Sequence, residues 1–242
     1  MNFKSLLNEL SLLITDEALQ KFEDYYQLLI EWNQKFNLTA ITDHDEVYIK
    51  HFYDSLLMAK VVDLTKINTL CDIGSGAGFP SLPLKIIFPH LKITIIEPTQ
   101  KRTIFLNEVV NKLGLTDVTI LNERAEDKAN EYREHFDIVT ARAVARMNVL
   151  LELTFSYVKQ DGVFIAYKGQ NFEEEMIEAD YAIKLLGGKT EDIYIFDLPL
   201  DLGGRSLISI KKIKKTPKDY PRSYAKIKNK PLIFGGNNKW EK

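Results

Sequence analysis

Cysteine is almost missing from this sequence of 242 residues. The single Cys71 excludes a disulfide framework and a cysteine-built metal site. The four histidines, His44, His51, His90 and His135, are scattered without metal-ligand spacing, so no metal is expected. Long hydrophobic runs are also lacking. No stretch approaches the roughly 20 apolar residues that span a bilayer, and the polar and acidic residues in Met1–Glu9 interrupt any secretory leader. These absences lead us to expect a soluble, cytoplasmic protein of a reducing compartment with no membrane partner. The Gly-Lys-Ser/Thr run of a phosphate-cradling loop is absent as well.

With 45% apolar residues, the chain can build one large domain, or one domain and a small appendage. Its charge is unevenly spread. Residues 211–242 hold ten Lys, one Arg, one Asp and one Glu, a net of +9, so the remaining 210 residues carry −11 of the overall −2. An acidic body with a basic tail suits a polyanionic partner, and it equally suits a tail that only solubilises.

The pattern divides the chain in three: a helical region over 1–64, an α/β domain over 65–213 and a basic tail over 214–242. Ala18, Phe22, Tyr25, Leu29, Trp32 and Phe36 form one helix stripe, with Thr15 as its cap and Asp16 and Glu17 in the first turn. A loop follows over 33–43, then a second helix over 48–61. Strands are predicted at 69–73, 92–96, 118–121, 136–140, 161–166, 191–197 and 206–212, with helices at 80–88, 101–113, 147–157 and 173–186. This alternation predicts a mainly parallel seven-stranded sheet covered on both faces. No helix separates the last two strands, so they are expected to pair antiparallel at one edge. Pro217, Pro221 and Pro231 predict a largely irregular end.

The most informative stretch is Asp72-Ile73-Gly74-Ser75-Gly76-Ala77-Gly78-Phe79-Pro80. It reads as a strand end, a glycine turn and a helix start, the arrangement that brings backbone N–H groups to a nucleotide-like ligand. Phe79 occupies the sixth position, where a dinucleotide fingerprint needs glycine, which argues against a nicotinamide dehydrogenase. Phe79 either packs on the ligand or anchors the loop in the core. Glu97 ends the second strand about 20 residues beyond the turn, where a carboxylate accepts hydrogen bonds from ribose hydroxyls.

This stretch looks like the S-adenosylmethionine-binding motif of Rossmann-like class I methyltransferases, and its Gly-Phe-Pro version resembles the glucose-inhibited division protein B family. Further similar motifs are Asn37–Ile41, His51–Leu56, Lys101–Leu106, Arg124–Glu126, Thr140–Ala145 and Lys168-Gly169. The resemblance implies S-adenosylmethionine as cofactor and methylation of guanine N7 in small-subunit ribosomal RNA. It implies cofactor contacts at Gly74, Ser75, Gly76, Gly78 and Phe79, ribose contact at Glu97, an adenine frame at Ala125 and Glu126, and Arg142 reaching the cofactor or target base. Glu123 and Tyr167 depart from the family's usual residues. Asn37, Arg146, Lys168 and Arg205 are the candidate RNA contacts, with Lys168 and Arg142 also candidates for positioning the target base.

The chemistry narrows from the residues as well. A cysteine nucleophile for pyrimidine carbon is unavailable, because Cys71 lies inside the first strand. The Asp/Asn-Pro-Pro-aromatic run of amine methyltransferases is replaced by Thr140-Ala141-Arg142-Ala143. Guanine N7 carries a lone pair and no proton, so it needs orientation and no general base. The expected partner is ribosomal RNA, free or in the small subunit, met by a monomer. The alternatives left open are a small-molecule methyltransferase and a non-catalytic, nucleotide-sensing RNA-binding module.

Overall fold

The structure, a computed structural model, describes residues 2–234. Helix α1, Phe3–Glu9, is capped by the Asn2 side chain, which accepts from Ser5 N–H. Helix α2, Asp16–Phe36, begins at Thr15, whose hydroxyl accepts from Ala18 N–H at 3.1 Å, and ends at Asn37 in the left-handed region. Its predicted stripe is the buried one: Phe22, Tyr25 and Leu29 are in the core, and Ala18, Trp32 and Phe36 pack against it.

The second helix is not uniform. Helix α3, His44–Val47, runs into a π-helical turn, Tyr48–Tyr53, then α4, Asp54–Leu56, and a 3-10 turn, Leu57–Lys60. A physical reason is at hand: Arg142 donates to the carbonyl of Lys50 at 3.2 Å, inside the widened turn. A side chain inserted into the backbone ladder is a recognised cause of such a departure.

Seven strands then form one sheet: β1 Thr69–Ile73, β2 Lys92–Ile96, β3 Val118–Leu121, β4 Phe136–Arg142, β5 Val158–Lys168, β6 Gly188–Asp197 and β7 Gly204–Lys212. Their order is β3-β2-β1-β4-β5-β7-β6. The first five are parallel to one another; β7 is antiparallel to both β5 and β6. The expected antiparallel pair is therefore present, with β6 on the outer edge. The order reverses between β1 and β4, the place where open α/β sheets bind ligands.

Helices α5, Ser81–Ile87, and α6, Gln100–Lys112, cover one face together with the N-terminal helices. On the other lie α7, Ala125–Lys128, α8, Met147–Thr154, and α9, Glu173–Leu185. Strand alternation explains the division: Leu70 and Ile138 join the first layer, Cys71 and Val139 the second.

The segment after β7 is largely irregular among the described residues, as expected, apart from one short helix. It contains α10, Tyr224–Asn229, and buries Ile227 and Leu232 against the second layer. Arg222 fastens it by donating to both carboxylate oxygens of Glu152 at 2.7 Å. Its order comes from contacts outside the segment, which local proline counting does not register. Among the described residues, no helix is long and apolar enough to cross a membrane.

Candidate active site

At the carboxyl ends of β1 and β4, three compartments join into one trough. The first, about 250 Å³, runs from Gly74 past Glu97 to Ala125 and Glu126 and is closed by Leu153 and Tyr224. The second, about 160 Å³, lies over Ser75 and Gly76 and touches Thr39, His51, Phe79 and Arg142. The third, about 310 Å³, is bounded by Asp54, Arg142, Tyr167, Lys168 and Arg205. Ala143 lines all three, Gly74 the first two, and His51 the last two.

The turn residues differ in what they face. Gly74, Gly76 and Gly78 all have positive φ, at 72°, 62° and 97°. A Cβ on Gly76 would meet nothing within 4 Å, whereas on Gly78 it would lie 2.4 Å from the Tyr25 hydroxyl. Gly76 therefore opens to the trough. Gly78 faces the core, where Tyr25 donates to the carbonyl of Ala77 at 2.5 Å. The Glu97 carboxylate, almost fully buried, accepts from Gly76 N–H at 3.1 Å and from Thr99 N–H at 3.0 Å. It thereby ties the turn to the end of β2.

Phe79 is buried in a stack, with Tyr25 at 5.5 Å on one side and His51 at 4.6 Å on the other. The guanidinium of Arg142 lies 5.1 Å from its ring. The core reading of Phe79 thus describes its packing, although one edge also borders the second compartment.

Arg142 ends β4 and donates to Asp54 at 2.9 Å; Arg205 on β7 donates to the other oxygen at 2.8 Å. Asp54 is 1% exposed. Burial, and then the charge of Arg142, pushes His51 down to about 3, so it stays neutral. Its Nδ1 lies 3.2 Å from the carbonyl of Lys50 and 3.3 Å from Arg142, and its Nε2 lies 2.9 Å from the Thr39 hydroxyl. Beneath the turn, burial raises Asp72 to about 7, opposed by hydrogen bonding from Ser81 and the charge of Arg142. One oxygen of Asp72 and the hydroxyl of Ser75 are buried without a partner.

Lys168 is committed, donating to Glu175 at 2.6 Å and to the carbonyl of Ala145 at 2.8 Å. Arg146 pairs with Glu178 at 2.9 Å and lines a neighbouring groove instead of the trough. Asn37 is an exposed helix terminus whose loop reaches the trough through Leu38 and Thr39. The sequence reading did not single out Asp54, His51, Thr39 or Tyr224 as site residues. The first three lie within the quoted motifs, which was the available signal.

A parallel sheet reversing beside an open glycine turn, with a buried carboxylate closing the second strand over a nucleoside-sized cleft, defines an S-adenosylmethionine-dependent methyltransferase of Rossmann-like fold. Solved structures agree on the fold. TrmN from Thermus thermophilus superposes with a TM-score of 0.51 at 13% identity, covering 69% of this chain and 53% of that one. The YcgJ protein from Bacillus subtilis gives 0.50 at 15% identity, covering 69% and 100%. Residues 18–199 match the family rRNA small subunit methyltransferase G, and the chain belongs to it. It is 50% identical over 222 residues to ribosomal RNA small subunit methyltransferase G of Listeria monocytogenes serotype 4b, covering 91% of this chain and 93% of that protein. To its counterpart in Oceanobacillus iheyensis it is 51% identical over 233 residues, covering 96% and 98%. The resemblance read from the motifs is thereby established.

Proposed function

We propose that this enzyme places a methyl group on N7 of a guanine in small-subunit ribosomal RNA, with the cofactor in the first two compartments and the base in the third. The observation that carries this reading is the third compartment's economy of free acid and base. Arg142 and Arg205 are tied to Asp54, Lys168 to Glu175 and Lys50 to Glu46, and His51, lowered to about 3, is a weak base. Such a chamber orients an acceptor that has nothing to deprotonate, and N7 is such an acceptor.

The residues fit S-adenosylmethionine. Glu97 has lone pairs left for ribose hydroxyls, and Ala125 with Glu126 frames the adenine end. The open face of Gly76 and the unpartnered Ser75 hydroxyl suit the amino-acid end. When bound, the cofactor supplies a methyl group on a positively charged sulfur. The chain's task is to hold the acceptor lone pair in line with that methyl and to exclude water. Arg142, braced by Asp54, fixes the boundary between donor and acceptor compartments. Because positive charge only passes from one occupant of the trough to the other, no residue needs to supply a new counter-charge. The exposed lysines after β7 contribute phosphate attraction, which gives affinity without sequence choice. We infer a monomer acting in the cytoplasm on the assembled or partly assembled subunit.

The test is methyl transfer onto small subunits from cells lacking this protein, with naked RNA alongside. Label that becomes a site of N7-specific strand scission supports the reading. Label resistant to that scission refutes the position and leaves only the reaction class.

A further inference from the structure

The trough has one wall that neither the glycine motif nor the strand ends account for. At the far end of the first compartment stands Tyr224, the first residue of α10. It comes from the basic tail, 71 positions after Leu153, the preceding residue of the lining. The residue is 41% exposed. Arg124, the residue before α7, places its guanidinium 5.2 Å from the ring centre, and that guanidinium approaches Glu126 at 3.9 Å. The ring is thus held by a cation at the mouth of the cleft.

The tail is seated firmly enough to form a wall. Ile227, one turn further along α10, is fully buried, as is Leu232. Arg222, two residues before Tyr224, donates through its side chain and its backbone N–H to the buried Glu152. It also donates to the carbonyl of Lys230, closing the segment on itself. Arg133 holds the carbonyl of Tyr220 at 2.5 Å. A solubilising tail needs none of these.

We propose that Tyr224 is a cofactor-binding residue, its ring packing against the purine end of S-adenosylmethionine opposite Ala125, and that the Arg222–Glu152 pair exists to hold it there. The proposal rests on the reading of the first compartment as the cofactor's cleft. An aromatic face suits a purine without hydrogen bonding, since every base has a π-face. It also fits the division of the trough: the carboxylate of Glu97 lies toward the glycine turn, and the lining further on includes the apolar surfaces of Ala125, Leu153 and Tyr224 beside the Arg124–Glu126 pair.

The experiment is calorimetric binding to the full-length protein of three ligands: S-adenosylmethionine, S-adenosylhomocysteine and methylthioadenosine, which lacks the amino-acid end. Wild type is compared with Tyr224→Ala and Tyr224→Phe, each checked for an unchanged melting temperature. Loss of one stacking partner predicts about tenfold weaker binding of all three ligands to Tyr224→Ala, with Tyr224→Phe within about twofold because the ring face is kept. Arg222→Ala, which frees the tail, should weaken all three ligands similarly while raising proteolysis within 217–234. Unchanged affinity in Tyr224→Ala overturns the proposal. So does weakening confined to the two ligands that carry the amino acid, because Tyr224 would then act at the wrong end. Failure of the wild type to bind any of the three overturns the cofactor reading itself.

Discussion

Asp54 shows how much a single side chain can hold. It is buried, and each of its oxygens is taken by a different arginine, Arg142 from β4 and Arg205 from β7. Removing one partner of such a buried pair leaves uncompensated charge and costs about 3–5 kcal/mol. Asp54→Ala should therefore lower both thermal stability and methyl transfer, and the transfer loss should persist at temperatures where the variant is fully folded. The glycine turn offers a cleaner contrast. Gly78→Ala drives a Cβ into Tyr25 and Leu82 at positive φ and should cost about 3 kcal/mol or more, a drop in melting temperature of about 6–12 °C. Gly76→Asp has room, and aspartate tolerates the left-handed region, so it should stay folded. Its carboxylate would crowd Glu97 and the trough, so calorimetry should show cofactor affinity reduced by at least about tenfold, which is ~1.4 kcal/mol.

Two buried groups near Arg142 respond to pH in opposite directions. Asp72 holds its proton up to about 7, above its value near 3.9 when unfolded. Between these values the native state binds more protons, so this contribution to stability falls as pH rises. His51 titrates near 3 when folded, below about 6.5 when unfolded, so its contribution rises with pH across that window. The two partly cancel. Asp72→Asn removes the falling component, so its stability relative to wild type should increase from pH 4 to 7 in urea denaturation. A constant difference across that range would show that Asp72 is ionised throughout.

At the scale of elements, local pattern revealed most of what lies between residues 69 and 186 and less at the edges. Strands β1, β2 and β3 have the boundaries that their β-branched runs predict. Strand β5 begins at Val158 instead of 161, because Val158 pairs with Phe136 across a bulge. The intervening Lys159, Gln160 and Asp161 carry no strand signal of their own. Helix α1 lies in the helical region expected over 1–64, but the pattern gave it no bounds of its own. Phe3 and Leu7 bury on aromatic neighbours such as Phe22 and Tyr48, contacts that no seven-residue window contains. The site shows the same division. Turn geometry made Gly74, Gly76 and Glu97 legible, but Asp54 meets its arginines 88 and 151 residues away, so spacing could not indicate it. The tail looked like charge alone because Glu152, its anchor, lies on α8.

Across the whole molecule, the N-terminal helices and the sheet share one core layer: Phe22, Tyr25 and Phe52 join Leu70, Ile93 and Ile138. Helix and sheet signals should therefore be lost in one cooperative transition, checked by coincident circular dichroism and tryptophan fluorescence melts. Residues 65–242 alone should fail to fold. The charge imbalance makes a second whole-molecule prediction. Lys212 is buried and Arg222 is paired, but Lys214, Lys215, Lys218, Lys226, Lys228 and Lys230 are exposed. Replacing Lys226 and Lys228 by Gln should weaken RNA binding at low salt with little dependence on RNA sequence. It should also reduce the salt-dependence slope by up to about 0.7–0.9 per lost phosphate contact.

The first compartment gathers its lining from Ile73 through Tyr224, about two thirds of the described chain. Chains leave their own ribosome N-terminus first, at about 5–20 residues per second. The glycine turn and Glu97 emerge first, while Tyr224 follows more than a hundred residues later. A nascent chain therefore presents an unfinished cleft until Tyr224 has been made, and products interrupted before that residue are born without it.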